Sequence, residues 1–166
     1  MLPLAPWWLL FWEGGFAFTS TVRSASTARL EHGHFHIFVN DREPGYFMYL
    51  AALSLSAKDE PLRWFTTNAW VTGKRMQSAK SVIALLDSFQ VQTRCRLAPL
   101  GRWLSAMVQL FRPQREQLLR RRDLLMQRQC QRQVWAALCE DRRVDVISPC
   151  SAALPRRIRQ FQRREF

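Results

Sequence analysis

Residues 33–40 (GHFHIFVN) alternate apolar Phe35, Ile37 and Val39 with His34 and His36, and Phe38 is the one break on the polar side. A period of two sends successive side chains to opposite faces of a strand, so the pattern predicts a strand with both histidines on one face. DREPG at 41–45 is turn chemistry. Residues 46–56 (YFMYLAALSLS) predict a second strand, apolar on both faces at first and then alternating Leu with Ser. KDEP at 58–61 is another turn, and LRWFTTN at 62–68, rich in aromatic and β-branched side chains, predicts a third strand. Short connections between successive strands favour an antiparallel meander.

The periodicity then changes to that of helices. Val82, Ile83, Leu85, Leu86 and Phe89 share a helical face, with Ser78 as N-cap. Trp103, Leu104, Met107, Val108 and Phe111 form the next face, and Pro113 ends that helix because it disfavours helical geometry at Arg112. A long basic helix is predicted over 114–138, with Glu116 four residues ahead of Arg120 and only a thin apolar stripe. Residues 144–147 suit a short edge strand. Residues 155–166 suit either a short docked helix or an unstructured tail. Strands first and helices afterwards predict an α+β fold: a three-stranded antiparallel meander packed by three or more helices, with a basic C-terminal helix.

The chain has 166 residues, enough for one domain with a real core. TSTVRSASTAR at 19–29 reads as a linker. Residues 1–29 are therefore set apart as an apolar N-terminal segment and linker outside the fold, 30–148 as a single α+β domain, and 149–166 as a basic tail. The opening MLPLAPWWLLFW is shorter than the ~20 residues a spanning helix needs. It also lacks the basic residues that begin a signal peptide, although Ser26-Thr27-Ala28 keeps a cleavage site open as an alternative. Trp7, Trp8, Phe11 and Trp12 offer a second alternative, contact with a membrane surface through residues 7–12. The four cysteines, Cys95, Cys130, Cys139 and Cys150, form no C-x-x-C pair. That disfavours zinc-ribbon and thioredoxin-like sites and suits free thiols in a reducing compartment, so the expected location is cytoplasmic.

Charge adds a further lead. The net charge is +12, and the residues after Phe111 hold 14 Arg against 6 Asp and Glu. A basic half of this kind suits a polyanion, and the nucleic-acid alternative would use Arg115, Arg120, Arg122 and Arg128 on one open face. The bland alternative is a solvated helix in a structural or interaction protein with no catalytic activity.

The sharpest chemical signal is the run Glu31-His32-Gly33-His34-Phe35-His36. Histidines two apart on a strand project together and can share one divalent metal such as zinc, so His34 and His36, with His32 as a third candidate, are the expected metal ligands. Asp87, Glu140, Asp141, Asp145 or Cys139 would complete the set. Asn68 and Trp70 stand where the third strand leaves the sheet, a usual place for a ligand amide contact and a stacking ring. Arg112, next to a helix start, suits an anion. No glycine-rich phosphate loop, G-x-S-x-G elbow or H-E-x-x-H motif is present, which disfavours the common nucleotide-binding and hydrolase classes.

These blocks resemble a bacterial family, a domain of unknown function, whose pattern runs G-H-F-H-x-F, L-F-T-T-N-x-W-V-T, V-I-A-L-L-D-x-F, x-N-R-W-L through L-F-R-P-Q, and a late E-D-R. Here they stand as GHFHIF at 33–38, WFTTNAWVT at 64–72, VIALLDSF at 82–89, GRWL at 101–104 leading to LFRPQ at 110–114, and EDRRVDVIS at 140–148. The resemblance covers about residues 30–148 and implies that His34, His36, Asn68, Trp70, Arg102 and Arg112 occupy motif positions. Gly101 departs from the usual Asn. The resemblance implies no activity. The expectation formed from residues and resemblance together is a pocket between the His34/His36 strand and the Asn68–Trp70 turn, closed by the Arg102–Arg112 helix. That pocket would hold a small anionic ligand or a divalent metal.

Overall fold

A computed structural model describes residues 16–20, 31–40, 47–87, 89–91 and 95–163. The segment 7–12, the linker at 21–30 and the turn at 41–45 lie outside the described residues.

The three predicted strands are present as β2 (Gly33–Asn40), β3 (Phe47–Leu55) and β4 (Pro61–Thr67), but the sheet is larger than predicted. It has five antiparallel strands in the order β1-β2-β3-β4-β5. The added members are its two edges, β1 (Phe16–Ser20) beside β2 and β5 (Val146–Ser151) beside β4. The sheet thus takes one strand from within residues 1–29 and runs another past residue 148. Edge strands are short and need pair on one side only, so they carry little periodicity; exposed Pro149 in β5 is tolerated for the same reason. The β3–β4 turn is closed by Ser56, whose backbone N–H donates to Glu60 O (2.9 Å) and whose hydroxyl accepts from Lys58 N and Glu60 N.

Alternation gives this sheet two different faces. Phe35, Ile37, Leu53 and Trp64 belong to one face, which packs on Leu104, Phe111 and Leu119 in the main core. Trp64 is fully buried, with its ring 6.2 Å from that of Phe111. Burying an indole removes about 150–250 Å² from water, roughly 4–6 kcal/mol before conformational entropy is counted. His34, His36, Ala52, Arg63 and Phe65 belong to the other face. A register shift pairs Ile37 with Ala51 but Phe38 with Tyr49, leaving Leu50 as an extra residue in β3. The shift brings Tyr49 to the histidine face, where its ring lies 5.7 Å from that of His36.

After β4 come α1 (Ala69–Thr72), α2 (Ala79–Ile83), a 3₁₀ turn (Cys95–Leu97), α3 (Ala98–Leu110), α4 (Arg112–Cys130), α5 (Trp135–Cys139) and α6 (Leu154–Gln162). Ser78 caps α2 as expected, its hydroxyl accepting from Ser81 N (3.1 Å). Phe111 ends α3 and starts α4, with Pro113 in the first turn of α4. The helix expected to run from 114 to 138 breaks after Cys130, where the chain turns through residues 131–134 before α5. The C-terminal stretch forms α6, docked where Arg157 Nε donates to Leu110 O (2.6 Å). Among the described residues, no helix is long and apolar enough to cross a membrane.

Candidate functional site

His34 and His36 lie two apart on β2 and are both buried. Their Nε2 atoms converge to 3.0 Å. On the far side of His34, Nδ1 lies 3.1 Å from Glu31 Oε1, while Arg63 Nη2 donates to Glu31 Oε2 at 3.0 Å. The result is a chain of polar groups: Arg63, Glu31, His34, His36. Burial raises the Glu31 pKa, but the hydrogen bonds from His34 and Arg63 outweigh it and hold the carboxyl below its usual range. An ionised Glu31 favours a proton on His34 Nδ1, and in the contact between the two Nε2 atoms the tautomers set which one donates. Burial, reinforced by the charge of His34, pushes His36 down to about 3, and its Nδ1 is buried without a hydrogen-bond partner among the described residues. Phe65 packs edge-on against His34 (5.3 Å), and Arg63 lies over that Phe65 ring at 5.0 Å.

His32 is exposed and does not join the pair, because it precedes the strand and its backbone N–H is bound to Leu55 O. The expected third ligands do not join either: among the described residues no group of three or more His, Cys, Asp or Glu side chains converges. Asp87 instead pairs with Arg112, and Asp141 with Arg143. Cys130, Cys139 and Cys150 are free thiols.

The remaining expected site residues do not assemble around the histidines. Asn68 is buried and its amide is engaged on both sides. Its Oδ1 accepts from Ala69 N (2.8 Å) and caps α1, and its Nδ2 donates to Leu138 O (2.7 Å) and Asp141 O (3.4 Å). Trp70 Nε1 donates to Val144 O (3.1 Å), and Arg142 lies over its ring at 5.9 Å. Both residues thus hold the end of β4 to the segment that leads into β5. Arg102 is exposed on α3. Arg112 is paired with Asp87 and, through Nε, with Glu116 Oε1 (3.0 Å).

The arginines of α4 do not share one open face. Arg120 and Arg128 are exposed, whereas Arg115 and Arg122 are buried. Arg122 donates to Asp123 Oδ1 (2.9 Å from Nε) and to Gln77 O (2.5 Å from Nη2). Arg115 lies over the Trp64 ring at 5.5 Å, and among the described residues none of its three guanidinium nitrogens has a hydrogen-bond partner. Burial, and then the charge of Arg112, pull Arg115 down to about 9. Sequence reasoning missed Glu31, Arg63 and Tyr49. Glu31 was within reach, because its E-x-x-H spacing to His34 is local. Arg63 and Tyr49 come from other strands and depend on register.

A search of curated proteins and a search of solved structures each found no match. A protein-family model matches residues 21–152, a span that takes in the histidine strand, the Asn68–Trp70 turn and all of α4. The chain therefore belongs to the family described as a domain of unknown function, DUF6969.

Proposed function

We propose that this protein binds one divalent transition-metal ion through His34 and His36. One observation carries the reading: the two Nε2 atoms lie 3.0 Å apart on one strand face, while the other nitrogen of His34 rests on Glu31. At metal–nitrogen distances of about 2.0–2.1 Å, two nitrogens so placed subtend about 90–100° at a common ion, within the range of four- to six-coordinate sites. A carboxylate on the distal imidazole nitrogen fixes the tautomer and raises ligand basicity. With two protein ligands the ion would keep open positions for water or an exogenous ligand, and imidazole donors suit zinc, iron, nickel or copper.

The test is cobalt uptake by chelator-treated protein at neutral pH, followed by elemental analysis and by visible absorption. One cobalt per chain is expected, lost in both His34→Ala and His36→Ala while circular dichroism stays that of the wild type. Glu31→Gln should keep the stoichiometry and weaken binding by roughly 10- to 100-fold. No uptake by the wild type, or stoichiometric cobalt retained by both histidine variants, overturns the reading and leaves the histidines as a pair sharing one proton.

A further inference from the structure

A second place in the fold collects positive charge and unused donors. Where β4 ends, Asn68 caps α1, Gly73 takes a left-handed conformation (φ 62°), and the chain turns back through residues 74–77 to Ser78. This return leaves a narrow cleft against the ends of β3 and β4, whose enclosed part has room for about one water-sized group. Tyr49 and Thr67 line it from the sheet, Lys74, Arg75 and Gln77 from the returning loop, and Arg122 from α4.

Two features of this lining point to a ligand. First, among the described residues that line it three are cations and none is a carboxylate. Asp123 beside the cleft is engaged by Arg122 and by Ala79 N (2.6 Å), so it balances Arg122 without facing Arg75 as a partner. Second, the Tyr49 hydroxyl and Thr67 Oγ1 are buried side by side, and among the described residues neither makes a hydrogen bond of ordinary geometry. Leaving a buried hydroxyl unpaired is unfavourable by about 1–3 kcal/mol, and both of these groups can donate. Burial holds the Tyr49 phenol above its usual range, only partly offset by the neighbouring Thr67, so it keeps its proton and remains a donor.

We propose that this cleft binds a small oxyanion, a phosphate or carboxylate group, with the hydroxyls of Tyr49 and Thr67 donating to it and Arg75 supplying the charge at the mouth. Hydroxyl donors and a guanidinium are what an oxyanion requires, since it accepts hydrogen bonds from every side. The enclosed space limits the buried part of the ligand to about one oxygen of the anionic group, with the rest held in the open mouth. The site shares Tyr49 with the histidine face, where its ring lies 5.7 Å from that of His36, but its chemistry does not depend on a metal.

The experiment is calorimetric titration of chelator-treated full-length protein with inorganic phosphate and, separately, with malonate, at constant ionic strength. Saturable binding of one phosphate or one malonate per chain is expected, and the tighter of the two names the class. Tyr49→Phe, which keeps the ring, and Arg75→Ala should each weaken binding by roughly tenfold or more. Arg132→Ala, which removes an exposed charge at the far end of α4, should leave the Kd unchanged. No saturable binding of either anion overturns the proposal. So does an equal loss in Arg132→Ala, which would mark general attraction to a basic protein. Thr67→Val serves as a second probe if Tyr49→Phe disturbs the sheet.

Discussion

Arg115 shows how much one side chain departs from its type. It is fully buried, its nitrogens have no hydrogen-bond partner among the described residues, and it lies over the Trp64 ring with Glu116 as a nearby opposite charge. A cation over an indole contributes about 0.5–2 kcal/mol, whereas the penalty for an uncompensated buried charge amounts to several. Arg115→Met keeps the length and apolar stem and removes the charge. It should therefore stabilise the protein by about 1–4 kcal/mol, read as a higher midpoint in urea unfolding with an unchanged slope. A lower midpoint would mean that the guanidinium has a counterion in solution. His34 and His36 depart in the other direction, since their sequence spacing already placed them together and the fold only buried them.

Among the elements, the α1 turn depends most on a single residue. Asn68 stops β4, caps α1 and reaches across to Leu138 and Asp141, so one amide joins segments about seventy positions apart in sequence. Asn68→Ala removes the cap and leaves buried backbone carbonyls unpaired. The cap alone contributes about 0.5–2 kcal/mol and each orphaned group about 1–3, so a loss of roughly 2–4 kcal/mol is expected. Hydrogen exchange should locate the loss at residues 69–72 and 135–145. A change below about 0.5 kcal/mol would show that the amide is not the crosslink. The other elements follow local rules: Ser78 caps α2 and Pro113 stands at the start of α4 as their types require.

Over the whole molecule, stability of the metal-free protein should depend on pH through the histidine face. The native pKa of His36 is lowered from 6.5 to about 3, so between those values the unfolded chain binds a proton that the native chain does not. This contribution is fully present above about pH 6.5 and is lost as the pH falls toward 3, by roughly 1.4 kcal/mol per unit at the steepest. Glu31, whose pKa is also lowered, adds a loss in the same direction at the acid end. The thermal midpoint should fall between pH 7 and pH 4, and His36→Gln should flatten that slope. Equal slopes in the two proteins would show that other groups carry the acid sensitivity.

Local pattern alone was enough for the three central strands, the break before Pro113, the Ser78 cap and the shared face of His34 and His36. Each of these depends on residues within a few positions of one another, where dihedral preference and side-chain period act directly. The two edge strands were not legible in that way, because an edge strand is defined by its partner and needs little pattern of its own. Nor was the partnership of Arg63 with Glu31, which depends on the pairing of β3 with β4, or the arrival of Tyr49 beside His36, which depends on a one-residue register shift. Asn68, Trp70 and Arg112 drew attention for chemistry that their types allow. Tertiary structure turned them to capping, crosslinking and ion pairing, because a buried amide, an indole N–H and a guanidinium must each find a partner, and in this fold the nearest ones belong to the protein itself.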